Sequence, residues 1–285
     1  MRKHHGFFPI EKMASILGVS RSCYYSSQEP SKRSFEKQEI VKRVREIYHK
    51  SRGTYGSPRV HAALKRSGVS CSRARVARLM KGIGLQAKMA KAWKRTTRRT
   101  EGAVVSPNYL NQQFVAQAPN KIWVSDISYI PTEEGWLYVC VSLDLFSRKV
   151  IGLSMGDSCK TLLVVKTFTQ GWIHRKPEEG LMHHSDRGCQ YTSHEFKILM
   201  DRYQVVTSMS GTGHCYDNAV MESFFHTLKT EHTDFFRFRT REEAKQSIFE
   251  YIEVFYNRER LHSTLGYHTP VEYELSWSQQ RCSDS

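Results

Sequence analysis

With 285 residues, 39% hydrophobic and 12% aromatic, the chain has the size of a globular protein with a core domain and smaller modules. No apolar run approaches the roughly 20 residues of a membrane span, and no signal-peptide core is present, so we expect a cytoplasmic protein. Residues 1–100 hold 25 Lys and Arg against 5 Asp and Glu, whereas residues 101–285 hold 18 against 23, which indicates either a polyanion-binding first third or a solvated basic surface.

The amino-terminal third is predicted to be helical. Residues 10–27 are typical of two short helices around a turn at Gly18, with Ser20 able to cap the second helix. Residues 32–50 are typical of one charged amphipathic helix, and residues 59–85 repeat the pattern of two helices around a turn. We therefore expect two helix-turn-helix units, although a simple helical hairpin remains an alternative for each.

Three arginines mark the last helix of this region. Arg73, Arg75 and Arg78 lie beside an apolar stripe that includes Val76 and Leu79. A helix that lies against phosphates or in a DNA major groove carries such residues. We predict that these three arginines contact DNA.

The rest of the chain is predicted to form a mixed α/β core. Three strands joined by short turns come first, two helices then alternate with two further strands, and two long helices follow. The predicted strands are residues 122–130, 136–145, 149–155, 181–185 and 205–210, and the predicted helices are residues 161–174, 193–203, 216–231 and 241–257.

These patterns divide the chain into five segments. We expect a small helix-turn-helix-like segment over residues 1–30, a helical DNA-binding module with the second unit over 31–87, a basic linker over 88–116, the α/β core over 117–275 and a tail over 276–285.

Three acidic residues on separate elements form the candidate site. Asp126 lies inside a hydrophobic strand, where a carboxylate is costly unless a cation or hydrogen bonds compensate it. Asp186 ends another strand, at the kind of edge where α/β sheets bind ligands, and Glu222 lies near the start of a helix. Each alone could be a structural residue. Together they could hold two Mg²⁺ ions about 4 Å apart for phosphodiester chemistry.

Other polar residues are interpreted as structural. We expect Asp144 to cap the following turn or to pair with Arg148, and His184 and His262 to be core or surface histidines. Glu231 is expected to be an exposed acid outside the site. The seven cysteines are scattered without a CxxC module, which argues against a zinc site or a disulfide framework.

The spacing of the acids resembles a known signature. Thirty-five residues separate Asp186 from Glu222, and Lys229 follows Glu222 by seven. This resembles the Asp-35-Glu-7-Lys pattern of retroviral integrases and of transposases of the insertion-sequence-three family, over about residues 50–275. The surrounding short motifs also resemble those of the family: Trp123 to Ile130, Leu143 to Arg148, His184 to Gly188, Cys215 to Phe225, Tyr256 to Asn257, Arg260 to His262 and Leu265 to Tyr267.

The resemblance implies a ribonuclease-H-like integrase catalytic core that nicks donor DNA at the element's ends and joins the freed 3′-hydroxyl to a target phosphate. Asp126, Asp186 and Glu222 would be catalytic metal ligands, and Lys229 would contact the terminal DNA. The expected cofactor is Mg²⁺, as two ions, with Mn²⁺ able to substitute. The expected partners are double-stranded DNA and at least one further copy of the chain, and the acting protein would associate with the bacterial nucleoid.

The sequence also departs from the resembled families. His4 and His5 have no matching cysteine pair, so the zinc domain of retroviral integrases is not expected. In the insertion-sequence-three family an upstream reading frame supplies another helix-turn-helix and a leucine zipper through translational frameshifting, which suggests a second-frame product with the upstream product as a partner. A catalytically idle DNA-binding regulator and a purely hydrolytic nuclease are the alternative functions.

Overall fold

The computed structural model describes residues 1, 4, 6–26, 32–88, 106–110, 115–211 and 218–283. Two compact units, Met1–Ala87 and Lys88–Ser285, make up the chain. Within the described ranges, no helix combines the length and the apolar character needed to cross a membrane.

The amino-terminal unit is helical, as predicted. Val44, Val60, Leu64 and Val76 are fully buried and form its centre. Ser72 caps the last helix by accepting a hydrogen bond from a backbone N–H one turn later. The helices are α1 (Ile10–Ile16), α2 (Arg21–Ser26), α3 (Lys32–Lys50), α4 (Ser57–Arg66) and α5 (Arg73–Gly82).

The second unit contains a five-stranded mixed sheet, which confirms the predicted fold class. Its strands are β1 (Ile122–Thr132), β2 (Gly135–Asp144), β3 (Val150–Gly156), β4 (Met182–Ser185) and β5 (Val206–Met209). They lie in the order β3-β2-β1-β4-β5. The first three strands pair antiparallel, whereas β1, β4 and β5 pair parallel. The helices of this unit are α6 (Thr161–Arg175), α7 (His194–Arg202), α8 (Ala219–Glu231), α9 (Arg241–Glu250) and α10 (Pro270–Ser283).

An aromatic core packs α6 and α7 against the sheet. Trp123 on β1 contacts Phe168 on α6, with ring centroids 5.7 Å apart, and Phe168 contacts Phe196 on α7 at 6.2 Å. Gly152 lets α6 approach β3 closely, because a Cβ at this position would lie 2.2 Å from the backbone oxygen of Thr167. The helix layer therefore holds the central strands from one side.

The carboxyl-terminal helix α10 was not predicted. It crosses residue 276, where the tail was expected to begin, and continues to Ser283. Glu274 on this helix accepts two hydrogen bonds from Arg175, at 2.7 and 2.9 Å, and Phe146 contacts Tyr273 and Trp277. The described part of the expected tail is thus helical, and α10 is fastened to the core.

Two other boundaries differ from the sequence prediction. The helix predicted over 241–257 is α9 followed by a π-helical segment, Tyr251–Tyr256. Part of the expected basic linker lies against β5, where the Tyr109 and Leu110 backbone N–H groups donate to Ser208 at 3.0 and 3.2 Å. Residues 89–105 of that linker, and residues 216–217 at the predicted start of α8, lie outside the described residues.

Candidate active site

The register of two parallel strands brings the two candidate aspartates together. Val124 on β1 is the partner of His184 on β4. Continuing this register by two residues places Asp126 beside Asp186, which directly follows Ser185 at the end of β4. Since neighbouring strands lie about 4.8 Å apart, the two aspartates lie side by side where β4 ends against the middle of β1.

Backbone N–H groups hold both carboxylates. The N–H of Ile127 donates to Asp126 Oδ1 at 2.8 Å, and the N–H of Gly188 donates to Asp186 Oδ1 at 2.9 Å. A Cβ at Gly188 would lie 3.0 Å from that same Oδ1, so a larger residue would press on the carboxylate. Arg187 ties this loop to the end of β5 through the Ser210 carbonyl oxygen at 2.6 Å.

Two other carboxylates lie close enough to Asp126 to affect its pKa. Burial raises the pKa of Asp126 from 3.8 to about 8, and the negative charges of Asp186 and Glu222 add to this rise, against hydrogen bonds from Ile127 and Asn218. Burial also raises the pKa of Asp186. The structure therefore brings Asp186 and Glu222 within range of the charge on Asp126, and a cation placed beside Asp126 would relieve the repulsion.

Helix α8 carries Glu222 and Lys229, both of which interact with the charge of Asp126. Glu222 is in its first turn and exposed, whereas Lys229 is half-buried two turns later. The Lys229 amine lies 5.2 Å from the ring centroid of Tyr129. Burial lowers the pKa of Lys229, against attraction from Tyr129, Asp234 and Asp126. Residues seven apart share nearly one helix face, which places both side chains on the side of Asp126.

The sequence reasoning missed Asn218. Its side-chain amide hydrogen-bonds to Asp126, while its own Oδ1 is buried without a hydrogen-bond partner among the described residues. Leaving a buried polar atom unsatisfied costs about 1–3 kcal/mol, so this oxygen is suited to a ligand. An asparagine just before a helix, four residues ahead of a candidate metal ligand, was the available signal, although the Asn218 side chain makes no capping bond to α8.

The donor set fits a hard divalent cation. Across the described ranges, no three histidine, cysteine or acidic side chains are already gathered closely enough to hold a metal ion. Asp126, the two carboxylates whose charges act on it and an unsatisfied amide oxygen are, however, oxygen donors of the kind that Mg²⁺ takes. The chemistry of the residues thus matches the expected cofactor.

Of two expectations about nearby acids, the one for Glu231 was wrong and the one for Asp144 was confirmed. Glu231 is buried rather than exposed, and its carboxylate accepts hydrogen bonds from Arg260 at 2.6 and 2.7 Å. Asp144 is structural, as expected, and caps its turn by accepting from the backbone N–H of Phe146. Its salt bridge, at 3.5 Å, joins it to Arg175 rather than to Arg148.

The buried histidines are satisfied, as interpreted. His183 and His184 hydrogen-bond to Ser125 and Ser208 at 2.8 and 2.9 Å. Burial lowers the pKa of His183 to about 3, which keeps this ring neutral. His262 is buried beside Arg260.

The three arginines predicted to contact DNA differ in their surroundings. Arg73 and Arg78 are exposed on α5, and the Arg78 guanidinium donates to the carbonyl oxygen of Ala74 at 3.4 Å. Arg75 forms a salt bridge with Glu36 on α3 at 2.9 Å. Part of its charge is therefore already compensated within the unit, and DNA contact by all three residues remains a prediction.

Family models match three segments of the chain. An HTH-like domain covers residues 36–93, and two models of an integrase core domain cover residues 116–215 and 222–276. These matches confirm the expected ribonuclease-H-like integrase core and the helix-turn-helix-like module before it.

Solved structures also share similarity with the chain. A chain of the simian T-cell lymphotropic virus intasome, in complex with the PP2A regulatory subunit B56 gamma, is 14% identical with a TM-score of 0.48, over 75% of this chain and 69% of that one. The HTLV-2 integrase catalytic core domain in complex with magnesium is 15% identical with a TM-score of 0.44, over 56% and 99%.

Relatives match nearly the whole length. The transposase for insertion sequence element IS904 of Lactococcus lactis is 40% identical over 86% of this chain and 97% of its own length. Transposase InsF for insertion sequence IS3A of Escherichia coli is 36% identical over 96% of each. A 31 kDa protein of insertion element IS600 of Shigella sonnei is 39% identical over 94% and 99%. The chain therefore belongs to the insertion-sequence-three family of transposases.

Proposed function

We propose that this transposase is a magnesium-dependent polynucleotidyl transferase that cuts DNA at the ends of its insertion sequence and joins each freed 3′-hydroxyl to target DNA. The observation that carries this proposal is the parallel register of β1 and β4, which sets Asp126 beside Asp186, with the charge of Glu222 acting on the same carboxylate. A catalytically idle regulator would have no use for such repulsion, because clustered acids cost stability.

Asp126, Asp186 and Glu222 are the proposed ligands of two Mg²⁺ ions, with Mn²⁺ able to replace them. When bound, the ions activate the attacking oxygen and stabilise the leaving oxygen of the phosphodiester. The chain's own groups prepare this site. The Gly188 N–H fixes Asp186, the Asn218 amide holds Asp126, and Asp126 gives up its proton so that its carboxylate can serve as a ligand.

Lys229 is the proposed contact to the DNA end. Its amine is half-buried near Tyr129 and feels the charge of Asp126. A lysine there can hold a phosphate near the carboxylates as a point charge. This role is positional and does not require Lys229 to exchange a proton.

We place DNA recognition in the amino-terminal region. Residues 1–100 carry 25 Lys and Arg against 5 Asp and Glu, and the helix-turn-helix-like unit presents Arg73 and Arg78 on its surface. Joining two ends of one element requires at least two copies of the chain on DNA. The product of an upstream reading frame is a further proposed partner, and the five-segment division described above is the proposed domain plan.

The metal proposal is tested by strand transfer of purified protein on pre-nicked element ends. We expect products with Mg²⁺ or Mn²⁺, and none with Ca²⁺, which is larger and coordinates more loosely. Products formed in a chelator would contradict the metal mechanism. DNA binding without products in either Mg²⁺ or Mn²⁺ would instead support the regulator.

The ligand proposal is tested by Glu222→Gln. This change keeps size and helix propensity but removes a negative charge, so strand transfer should fall by at least about a hundredfold while folding and DNA affinity are kept. Glu195→Gln is the matched control, because Glu195 is an exposed acid in the first turn of α7 as Glu222 is in that of α8. Equal activity of the two variants would show that Glu222 is not a ligand.

A further inference from the structure

An exposed pair of aromatic rings lies on the hairpin formed by β1 and β2. Tyr129 is 40% exposed and Trp136 is 50% exposed, and their ring centroids are 4.9 Å apart in an edge-to-face arrangement. By contrast, Trp123 on the same strand as Tyr129 is fully buried. Contiguous exposed aromatic surface on a soluble domain is typical of a binding site.

This pair lies near Asp126 along β1. Tyr129 follows Asp126 by three residues, so their Cα atoms are about 10 Å apart at 3.3 Å per residue, and their side chains point to opposite faces of the strand. Lys229 connects the two places, since its amine lies 5.2 Å from the Tyr129 ring and interacts with the charge of Asp126. A phosphate held by the Lys229 amine would therefore lie near both the Tyr129 ring and Asp126.

A basic segment lies along the same hairpin. Phe238 pairs with Thr132 across an isolated bridge, and the exposed arginines Arg237 and Arg239 flank it. Arg241 donates to the carbonyl oxygen of Trp136 at 3.1 Å. Arg241 therefore places a positive charge beside Trp136, as Lys229 does beside Tyr129. Glu133 and Glu134 lie at the turn of the same hairpin, where Glu134 accepts a hydrogen bond from the Arg241 backbone N–H at 2.8 Å.

Aromatic faces next to positive charge match a nucleotide whose base is out of the duplex. A paired base has both faces covered by its neighbours, whereas an unpaired base can stack on a protein ring while lysine or arginine holds its phosphate. We propose that Tyr129 and Trp136 form a stacking platform for an unpaired base at the DNA end. The platform rests on the proposed function in one respect, namely that the end is brought to Asp126.

The test is equilibrium binding of the full chain, in a chelator, to two fluorescent DNA probes. One is a 30-base-pair duplex, and the other is the same duplex with its last three base pairs mismatched and 2-aminopurine as the terminal base. We expect the wild type to prefer the mismatched end and to quench the 2-aminopurine. Tyr129→Leu and Trp136→Leu should lose about tenfold in affinity for this end and the quenching, with duplex affinity changed less than twofold.

Two controls keep the test decisive. Tyr129→Phe retains a ring and should retain preference and quenching, and it also separates stacking from loss of folding. Phe249→Leu removes a ring that is 54% exposed on α9 and should behave as wild type. No preference in the wild type, or full preference in both leucine variants, would overturn the platform. Because chelator blocks chemistry, these results do not depend on strand transfer, whose failure would instead refute the proposed function.

Discussion

Acidic side chains in the core unit meet two opposite environments. Glu231 is buried against Arg260, whose guanidinium donates to it at 2.6 and 2.7 Å, and this pairing raises the pKa of Arg260 in spite of burial. Asp126 instead experiences the negative charges of Asp186 and Glu222, which add to the effect of burial on its pKa. Glu231 has a cationic partner inside the protein, whereas burial and then the charges of its neighbours raise the pKa of Asp126.

Glu274 on α10 is a second acid with cationic partners. Burial would raise the pKa of Glu274, but the hydrogen bonds and charge of Arg175, together with Lys149, bring it below its ordinary value. Acids with cationic partners, such as Glu231 and Glu274, stabilise the fold, whereas Asp126 lies among acids that repel it. In a metal-free site, clustered carboxylates repel one another, and a bound cation removes this repulsion.

The largest expected effect is on stability, at Glu231. Glu231→Gln leaves the Arg260 charge buried without its counterion, which should cost about 3–5 kcal/mol of unfolding free energy. Urea denaturation at pH 7 measures this loss. The control Glu195→Gln should change stability by less than about 0.5 kcal/mol, since that side chain is exposed. A cost below about 1 kcal/mol for Glu231→Gln would mean that the buried pair is dispensable.

Glu231 also marks the limit of what the sequence could predict. The sequence places it on a helix that also carries Glu222, and nothing local distinguishes an exposed acid from a buried one. Its partner Arg260 is 29 residues away, and the pairing depends on how the π-helical segment Tyr251–Tyr256 returns the chain. Tertiary contacts of this kind leave no periodic pattern in the amino-acid sequence.

Helix α10 was not predicted from the sequence for a similar reason. Its apolar residues Tyr273 and Trp277 are four apart, but most of its other residues are polar, so that no long stripe indicates a helix. Its stability comes from contacts with Arg175 and Phe146, which lie far away in sequence. The strands and the helices α1 to α7, by contrast, follow from strong local periodicity and capping residues, and their predictions were confirmed.

The candidate site was more predictable than these contacts. Asp126 and Asp186 stood out because a carboxylate inside or at the end of an apolar strand needs compensation. The parallel register that sets them side by side required the structure. Asn218 could not be ranked from sequence, because an unsatisfied oxygen is a property of the folded site alone.

The second prediction is a gain in unfolding free energy, whereas the first is a loss. Asp126→Asn removes a carboxylate whose folded pKa of about 8 lies above its ordinary 3.8, so it should abolish strand transfer and yet stabilise the metal-free protein. The folded state binds this proton more tightly than the unfolded state. The cost of ionising Asp126 is therefore absent below pH 4, grows as the pH rises, and is complete above pH 8.

Thermal unfolding in a chelator at pH 5 and pH 8.5 measures this effect. At pH 8.5 the Asp126→Asn protein should be more stable than the wild type by about 2 kcal/mol, a value reduced from the full shift because the side chain is partly open to water. The gain should be smaller at pH 5. A constant difference at both values of pH would show that Asp126 ionises normally in the folded protein.

The third prediction concerns Asn218, which supports Asp126 without adding charge. Asn218→Ala should weaken Mn²⁺ binding and strand transfer by about 10–100-fold, with little change in stability because its side chain does not cap α8. Ser193→Ala is the opposite control, since Ser193 caps α7 by accepting from the Phe196 N–H at 3.2 Å. It should cost about 1 kcal/mol of stability and leave metal affinity unchanged. Identical behaviour of the two variants would leave Asn218 without a role at the metal.

The smallest expected effect belongs to Lys229, the proposed contact to the DNA end. Lys229→Ala should weaken binding of an element end by about fivefold, because one phosphate contact is lost, while strand transfer at saturating DNA stays within about twofold of the wild type. Lys229→Arg should keep most of the affinity, since the charge is retained. The matched control is Lys197→Ala, which removes an exposed lysine from α7 and should change neither quantity.

Salt dependence separates a phosphate contact from a structural role for Lys229. If the amine neutralises one phosphate, the slope of log affinity against log salt concentration should decrease by about one unit in Lys229→Ala, and the difference between variant and wild type should shrink at high salt. A loss of rate at saturating DNA with unchanged affinity would instead assign Lys229 to the chemistry. In that case the attraction between its amine and Asp126 would be the reason, because removing a positive charge makes Asp126 harder to ionise.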